Sequence, residues 1–263
     1  MEWRKHVILA IDIGNTNIVI GCIENEATWC IERISTDHQK TALEYAVLIR
    51  TILDIHQVDA DAIEGSILSS VVPSLSFVLK EAIGKLLPDK RFLTVGPGIK
   101  TGLKIGIDNP AQLGADLVVA AVAALHEYPG ALILADMGTA TTISVIDSKH
   151  VFRGGAIIPG LRVSMQSLVS NTSQLPSISL TAPKHAIGTN TIDCMRSGAI
   201  YGNADLLDGM FTRMEKELGE PVTIIATGGL AQYVLPLCTH EIVYDDGLLL
   251  KGLKILYDKN TPA

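Results

Sequence analysis

Two short stretches of this chain share one layout, and this repetition constrains the fold more than any other feature. Residues 10–21 read AIDIGNTNIVIG, and residues 135–145 read ADMGTATTISV. In each stretch an apolar run ends in an aspartate, a glycine permits a tight turn, and a second apolar run follows. Either stretch alone is typical of a polar hairpin turn, in which Gly, Asn and Asp are the usual residues. Independent hairpins have no reason to share an Asp-x-Gly order, so the pair indicates a duplicated fold.

The rest of the chain repeats one order of elements, with three strands first and then alternating helices and strands. Apolar periodicity predicts, in the first half, strands at 7–13, 17–23, 27–34, 65–72 and 92–95, and helices at 41–56 and 75–87. In the second half it predicts strands at 131–136, 141–147, 151–158 and 222–226, and helices at 111–126, after Gly160, at 192–218, after Gly229 and at 247–256. In the helix at 41–56, Leu43, Val47, Ile49 and Leu53 mark the apolar side. The fold class is therefore α/β, with two duplicated domains, each a mixed sheet flanked by helices, and a cleft between them for a small ligand.

A segment rich in glycine and proline, residues 96–114, separates the two copies. We expect an N-terminal domain at 1–108, which contains the first hairpin, and a C-terminal domain at 109–263, which contains the second. The length of 263 residues is enough for each domain to bury its own core.

Composition and charge exclude several classes of function. The net charge of −7 argues against a nucleic-acid partner, which would favour a basic face. No apolar run approaches the roughly 20 residues needed to cross a membrane, and the N-terminal apolar run lacks a cleavage site of the secretory type. The four cysteines, at positions 22, 30, 194 and 238, have no metal-ligand spacing and predict reduced thiols. We therefore expect a cytoplasmic protein with neither nucleic acid nor membrane as partner.

The paired hairpins have a chemical use. Glycine lets the backbone approach a ligand closely, and the freed N–H groups can form a concavity that binds anions. Asn15, Thr16, Thr139 and Thr141 add donors suited to phosphate oxygens. An aspartate beside such a turn can hold a hydrated cation that bridges the same phosphates. The phosphate loops of the Walker and Gly-x-Gly-x-x-Gly types are absent, which disfavours those nucleotide folds.

Together with Thr227-Gly228-Gly229, the two hairpins resemble the superfamily of acetate and sugar kinases, heat-shock chaperones and actin. Within it, IDIGNTN, NPAQLGAD, DMGTATT, GGAIIPG, IGTNTIDCMRSG and ATGGLA are similar to the type III pantothenate kinases, from about Leu9 to Leu253. The resemblance implies duplicated actin-like (ribonuclease H-like) domains and phosphorylation of pantothenate by ATP to 4'-phosphopantothenate, the first step of coenzyme A biosynthesis. It also implies Mg²⁺ with the ATP, a monovalent cation (K⁺ or NH₄⁺), and a homodimer with the substrate site near its interface.

The resemblance assigns roles to individual residues. The phosphates of ATP would meet Asp12, Ile13, Gly14, Asn15, Thr16, Asn17, Ile18, Val19 and Thr139. Asp12 would hold magnesium through water, and Asp136 the monovalent cation. The substrate site would comprise Ile107, Gly114, Ala115, Asp116 and Leu117 of one subunit, and Thr191 would be contributed by the other subunit. Asp116 would be the general base that accepts the proton of the substrate hydroxyl.

Two of these residues have plain structural alternatives. Asp116 stands in the first turn of an apolar helix, where the helix dipole favours an acid without any catalytic role. Thr191 is placed to be the N-cap of the helix that follows. The histidines at positions 6, 56, 126 and 240 have no acid or nucleophile pattern beside them in the sequence, so surface or core roles are expected.

The chain departs from the family pattern on the substrate side. Leu117 stands where the family has an arginine, and Ile107 where it usually has a tyrosine. One hypothesis is that another cation, Arg153, Arg162 or Lys184, replaces the arginine. The alternatives are a divergent paralogue with a different substrate, or a nucleotide-binding regulatory protein without kinase turnover.

Overall fold

The computed structural model describes residues 7–24 and 27–261, and their packing divides the chain into two compact units. The first unit comprises the described residues of 1–103, 109–123 and 247–263, and the second comprises 104–108 and 124–246. This division follows packing and differs from a single boundary at residues 108 and 109, which stays a prediction about the two copies of the duplicated fold. His6 lies outside the described residues.

The elements follow the predicted order closely. The strands are β1 Val7–Ile13, β2 Asn17–Glu24, β3 Ala27–Ser35, β4 Ile63–Ser70, β5 Arg91–Thr94, β6 Lys104–Ile105, β7 Ala131–Met137, β8 Ala140–Ile146, β9 Val151–Pro159, β10 Val222–Thr227 and β11 Ile242–Tyr244. The α-helices are α1 Ala42–Ile55, α2 Pro73–Leu86, α3 Ala115–Glu127, α4 Leu161–Ser170, α5 Thr191–Leu218, α6 Ala231–Val234 and α7 Leu248–Lys259.

The first unit contains a five-stranded mixed sheet in the order β3-β2-β1-β4-β5. β1 is antiparallel to β2 and parallel to β4. On one face of this sheet, α1 and α2 cover a core that includes Ile11, Ile13, Ile49, Leu53 and Leu79. β1 also contacts α7. All seven residues of β1 are buried, and six of them are apolar, as is typical of a strand that is covered on both faces. The carboxyl end of β1, with Asp12, is thereby held between covered surfaces.

The second unit repeats this arrangement in a six-stranded sheet with the order β11-β10-β7-β8-β9-β6. β7 is antiparallel to β8 and parallel to β10, as β1 is to β2 and β4. Its core contains Ile133, Met137, Ile143 and Phe211, the last contributed by the long helix α5. The predicted α/β fold, with two mixed sheets flanked by helices, is confirmed. No helix within residues 7–24 and 27–261 combines the length and apolar character needed to cross a membrane.

Two local predictions are wrong, and two short strands were not predicted. Leu43 and Val47 do not face the core, because the buried side of α1 is formed by Ala42, Tyr45, Ala46, Ile49, Ile52 and Leu53, and the first two side chains are more than half exposed. The helix expected from residue 111 begins at Ala115, since a 3₁₀ turn at Pro110–Gln112 is followed by an extended residue, Leu113. The short strands β6 and β11 were not predicted, since two or three residues carry too little periodicity.

Candidate functional site

The first Asp-x-Gly turn is a closed hairpin between β1 and β2. The Gly14 N–H donates to the Asn17 carbonyl oxygen at 2.9 Å. Thr36, just after β3, stabilises the turn with two hydrogen bonds. Its hydroxyl donates to the Gly14 carbonyl oxygen at 2.7 Å, and its N–H donates to the Thr16 carbonyl oxygen at 2.9 Å. Asn15 and Thr16 lie exposed at the tip, where their polar groups can meet a ligand.

Side chains alternate along β1 and β2, so some of the predicted ATP-binding residues face the core and the others do not. Ile13 and Ile18 are fully buried in the core, so a ligand could meet only their main-chain atoms. Asn17 and Val19 are half-buried. Asp12 lies between two core-facing residues and therefore points to the opposite face of the sheet, where it is 7% exposed.

The carboxylate of Asp12 is suited to a magnesium ion that is bound mainly by water and phosphate oxygens, rather than to a metal bound by protein side chains alone. Across the described residues, no group of three or more His, Cys, Asp or Glu side chains is placed to hold a metal ion. Mg²⁺ usually keeps several waters and binds through one or two carboxylates together with phosphate oxygens. The single buried carboxylate of Asp12 beside an exposed polar turn fits that mode.

The second hairpin, between β7 and β8, is built in the same way. The Gly138 N–H donates to the Ala140 carbonyl oxygen at 3.0 Å, and Thr139 is exposed at the tip. Gly160 packs against this turn so closely that a Cβ there would lie 2.6 Å from the Gly138 carbonyl oxygen. Asp136 is half-buried, and one of its carboxylate oxygens lies near Gly138. An exposed threonine and an acid thus flank the second turn, as they do the first.

Thr141 must be removed from the set of phosphate donors. It pairs with Met137 across the β7–β8 ladder and so shares the face of Met137, which belongs to the core of the second unit. Its side chain is 2% exposed, and its hydroxyl has no hydrogen-bond partner among the residues that the structure describes. The alternation of side chains along β8 turns Thr141 to the core face, so the prediction of a phosphate donor at this position is wrong.

Asp116 lies in the first turn of α3 and is half-buried. Burial raises its pKa, and the hydrogen bonds that its carboxylate accepts from the N–H of Leu117, at 2.8 Å, and from its own N–H oppose that rise without cancelling it. Gly114 makes room for this carboxylate, because a Cβ at position 114 would collide with Oδ1 of Asp116. The Gly-x-Asp spacing therefore has a steric reason.

A second acid at a helix start shows what a purely structural role looks like. Glu44, in the first turn of α1, forms a capping box with Thr41, whose N–H donates to the glutamate at 2.7 Å. Hydrogen bonds from Thr41 lower the pKa of Glu44, so this helix start favours the ionised form. The pKa of Asp116 moves in the opposite direction. Shifted pKa values of this kind are enriched among the acids and bases of active sites.

The remaining substrate-side residues occupy both units. Leu117, in the first unit, is half-buried beside Asp116. Ile107, in the second, is half-buried next to Gly154, where a Cβ would lie 3.7 Å from it. Thr191 is exposed as the first residue of α5 but is not its N-cap. That role belongs to Asn190, whose side-chain oxygen accepts from the Asp193 N–H at 3.0 Å, so the capping prediction for Thr191 is wrong.

Some polar partners were invisible in the sequence because distant segments bring them together. Nδ1 of His240 lies 2.6 Å from Oδ1 of Asp208 in α5, and Nε2 of His56 lies 2.8 Å from Oε1 of Glu32. The Asp208 carboxylate also accepts from the main-chain N–H groups of Thr239 and His240, and so fastens this loop to α5. Each histidine therefore has an acid partner that the sequence did not indicate, and the expectation of surface or core roles stays a prediction.

The four cysteines lie in different environments. Cys22 and Cys30 are buried and lie opposite each other on β2 and β3, Cys194 is exposed, and Cys238 is half-buried. All four are free thiols.

Comparison with known proteins gives a consistent family description. The family model described as type III pantothenate kinase matches residues 8–213 of the chain. A protein of that name from an Exiguobacterium species is 43% identical over 254 residues, which are 97% of this chain and 99% of the relative. The protein of that name from Moorella thermoacetica is 41% identical over 255 residues, covering 97% of this chain and 100% of the relative.

Solved structures support the same architecture. A conserved putative Baf family transcriptional activator from Campylobacter jejuni superposes with a TM-score of 0.59 at 21% identity, covering 96% of this chain and 98% of the other. Component A of the (R)-2-hydroxyglutaryl-CoA dehydratase of Acidaminococcus fermentans gives 0.57 at 13% identity, covering 96% and 97%. A ROK family glucokinase from Streptomyces griseus gives 0.53 at 12%, covering 96% and 98%. At these identities the likeness shows the fold alone, and it confirms the actin-like architecture.

Proposed function

The chain belongs to the type III pantothenate kinases, and on this premise we propose that Asp116 is the general base of its reaction. The protein is a kinase that phosphorylates pantothenate with ATP and a divalent metal, the first step of coenzyme A biosynthesis. Asp116 accepts the proton of the substrate's primary hydroxyl as that oxygen attacks the γ-phosphorus. The observation that carries this assignment is the half-buried carboxylate of Asp116, whose pKa is raised and for which Gly114 leaves room.

The raised pKa suits the task physically. A general base works best when its pKa approaches the operating pH, because it then combines the correct ionisation state with a useful driving force for proton transfer. Phosphoryl transfer passes through a loose transition state, so the remaining residues position the reactants and balance charge. Asn15, Thr16 and Thr139, exposed at the tips of the two hairpins, supply polar groups to the phosphates of ATP.

We assign the two hairpin aspartates to cations. Asp12 holds the hydrated Mg²⁺, which when bound neutralises charge on the phosphates. Asp136 holds a monovalent cation, K⁺ or NH₄⁺, with an oxygen ligand of the kind that such a hard ion requires. Support for the second assignment comes from the matching position of Asp136 in the second hairpin and from its half-buried carboxylate near Gly138.

We propose that pantothenate binds with contacts that differ from those of the family pattern, because two substrate-side positions are apolar in this chain. Leu117 and Ile107 supply neither charge nor hydrogen bonds to the substrate carboxylate. Of the cations that could replace them, Arg153 already lies 3.8 Å from the carboxylate of Asp147, and its side chain is 57% exposed. Arg162, in the first turn of α4, and Lys184, in a loop, are both exposed, and we prefer them as candidates.

We propose that the protein acts as a homodimer in the cytoplasm, with Thr191 of each subunit reaching the other's substrate site. An apolar groove of about 450 Å³ between α4 and α5 supports this interface, and its walls include Leu161, Met165, Leu168 and Met195. The dimer should be visible by sedimentation velocity at micromolar concentration. Leu168→Glu should weaken it because the charge would be buried, whereas Phe77→Glu, at an exposed site in the other unit, should not.

The experiment that tests the function is a coupled assay of ADP release with ATP, Mg²⁺ and K⁺, with and without pantothenate. ADP release that depends on pantothenate is the expected result. ADP release without that dependence would indicate a different acceptor, and absence of release with retained ATP binding would favour the regulatory alternative.

A further inference from the structure

Ser69, near the carboxyl end of β4, has a hydroxyl group that the fold leaves without a partner. Its side chain is fully buried, and its Oγ makes no hydrogen bond to any residue that the structure describes. A buried hydroxyl without a partner is energetically unfavourable, because it has lost its hydrogen bonds to water. Such a group calls for an explanation, and a missing ligand contact is one of the recognised ones.

The position of Ser69 points to the ligand concerned. β4 is parallel to β1, and the register places Ser69 directly beside Asp12. Residues in register on neighbouring strands present their side chains on the same face, so Ser69 and Asp12 share the face opposite the α1–α2 core. Leu68, one residue earlier, is in register with Ile11 and belongs to that core, which confirms the assignment of faces.

The second unit repeats the pairing. β10 is parallel to β7, and its register places Thr227 directly beside Asp136. Thr227 is also buried, at 5% exposure. In both copies of the fold, therefore, the hairpin aspartate has a buried hydroxyl residue as its neighbour on the adjoining parallel strand. In each pair the acid and the hydroxyl residue are far apart in the sequence, so local composition does not explain why both pairs occur.

We propose that Ser69 is a positioning residue for the cation-binding carboxylate of Asp12, and that its hydroxyl donates to this carboxylate when the metal–nucleotide complex is bound. This inference rests on the proposed role of Asp12 in holding the hydrated divalent cation. A hydroxyl hydrogen bond to one carboxylate oxygen fixes the orientation of the group and leaves the other oxygen for the hydrated ion. Ser69 itself touches neither the substrate nor the reacting phosphate.

The test is the affinity of the full-length protein for Mn²⁺ with the β,γ-imido analogue of ATP, followed by the electron paramagnetic resonance of the ion. Ser69→Ala should raise the Kd of the manganese–nucleotide complex roughly tenfold, the scale of a hydrogen bond to a charged group. In excess EDTA, the Kd of the nucleotide alone should stay unchanged, because Ser69 acts through the cation. The melting temperature of the ligand-free variant should be equal or higher, since the substitution removes an unpartnered hydroxyl.

A matched control is available in the same strand. Ser66 is as deeply buried, but it is in register with Leu9 and so faces the core of the first unit. Ser66→Ala should leave the affinity for the manganese complex unchanged. Ser69→Thr, which restores a hydroxyl and carries the residue type of position 227, should recover most of the lost affinity.

The possible outcomes separate this inference from the proposed function. An unchanged Kd for the manganese complex in Ser69→Ala would overturn the inference, as would an equal loss of affinity for metal-free nucleotide or a lowered melting temperature. None of these measurements requires pantothenate. Failure of the unmodified protein to release ADP with pantothenate would instead overturn the proposed function, and the binding data would still decide the role of Ser69.

Discussion

Replacing Asp116 with asparagine distinguishes a general base from an acid that only stabilises the start of a helix. Asparagine has the same shape, and its side-chain oxygen can still accept the 2.8 Å hydrogen bond from the Leu117 N–H. The space that Gly114 leaves for the side chain is also unchanged. The substitution therefore removes the charge and the basicity while it preserves the local geometry.

The expected effects on turnover and on stability have opposite signs. Loss of a general base lowers kcat by about 10²- to 10⁴-fold, while the affinity for ATP stays nearly unchanged. For stability, burial raises the folded-state pKa of Asp116, so the protonated form is favoured in the folded protein. The stability that this group contributes is complete below the ordinary carboxyl pKa and is lost as the pH rises through the raised folded value. At neutral pH the ionised carboxylate is thus unfavourable, and Asp116→Asn should unfold at an equal or higher temperature.

The assays are single-turnover ADP formation with saturating pantothenate, nucleotide binding, and thermal unfolding at pH 7. The matched control is Glu44→Gln, which alters the capping box of α1. Because hydrogen bonds from Thr41 lower the pKa of Glu44, this control should lower the melting temperature and leave turnover unchanged. The pH profile of kcat/KM adds a separate check, because activity should fall with decreasing pH at a value above the ordinary aspartate pKa of about 3.9.

Near-normal turnover in Asp116→Asn would refute the role of general base. A lowered melting temperature with normal turnover would support the helix-dipole interpretation instead. A loss of turnover accompanied by an equal loss of ATP affinity would show that the residue organises the nucleotide site rather than the proton transfer.

Three further predictions concern the second hairpin, the substrate side and the core. Turnover should depend on potassium or ammonium, and Asp136→Ala should remove that dependence with most of the activity; equal rates of the unmodified protein in sodium and potassium buffers would contradict it. Leu117→Arg should lower the KM for pantothenate roughly tenfold by a charge-assisted hydrogen bond, and an unchanged KM would show that the substrate carboxylate binds elsewhere. Thr141→Val should raise the free energy of unfolding in urea by about 1 kcal/mol, because its buried hydroxyl lacks a partner among the described residues, and a decrease would contradict this account.

The parts of the fold that the sequence predicts are those that depend on local chemistry. Asp12 and Asp136 each end an apolar strand and precede a glycine, and that short-range pattern is enough to place both hairpins. The start of α3 was missed by four residues, because alanine content alone could not show that Leu113 is extended. The buried side of α1 was assigned incorrectly because two of its apolar residues, Leu43 and Val47, belong to an exposed stripe of the same periodicity.

The parts of the site that the sequence could not predict depend on strand register and on burial. Ser69 lies near the end of another apolar strand, where a serine is ordinary, and only the parallel pairing of β1 with β4 brings it beside Asp12. Thr141 has the same residue type and nearly the same sequence position as Thr139, yet one is buried and the other exposed. The assignment of Asp116 to the family's base likewise came from resemblance, and the opposite pKa directions of Asp116 and Glu44 supply an independent physical reason for it.

The duplicated hairpins also explain why acids can lie so close to the apolar cores. Along β1 the core-facing residues are Ile11 and Ile13, and along β7 they are Ala135 and Met137, so in each strand the aspartate between them must point to the other face. The apolar residues secure the register, and that register in turn fixes which hydroxyl adjoins the acid. A shift by one residue in β4 would turn Ser69 to the α1–α2 face and place Leu68 or Ser70 beside Asp12 instead. Packing of the first core therefore determines the geometry of the Asp12 carboxylate, to which we assign the divalent cation, and substitutions that loosen β4 should reduce metal affinity before they unfold the protein.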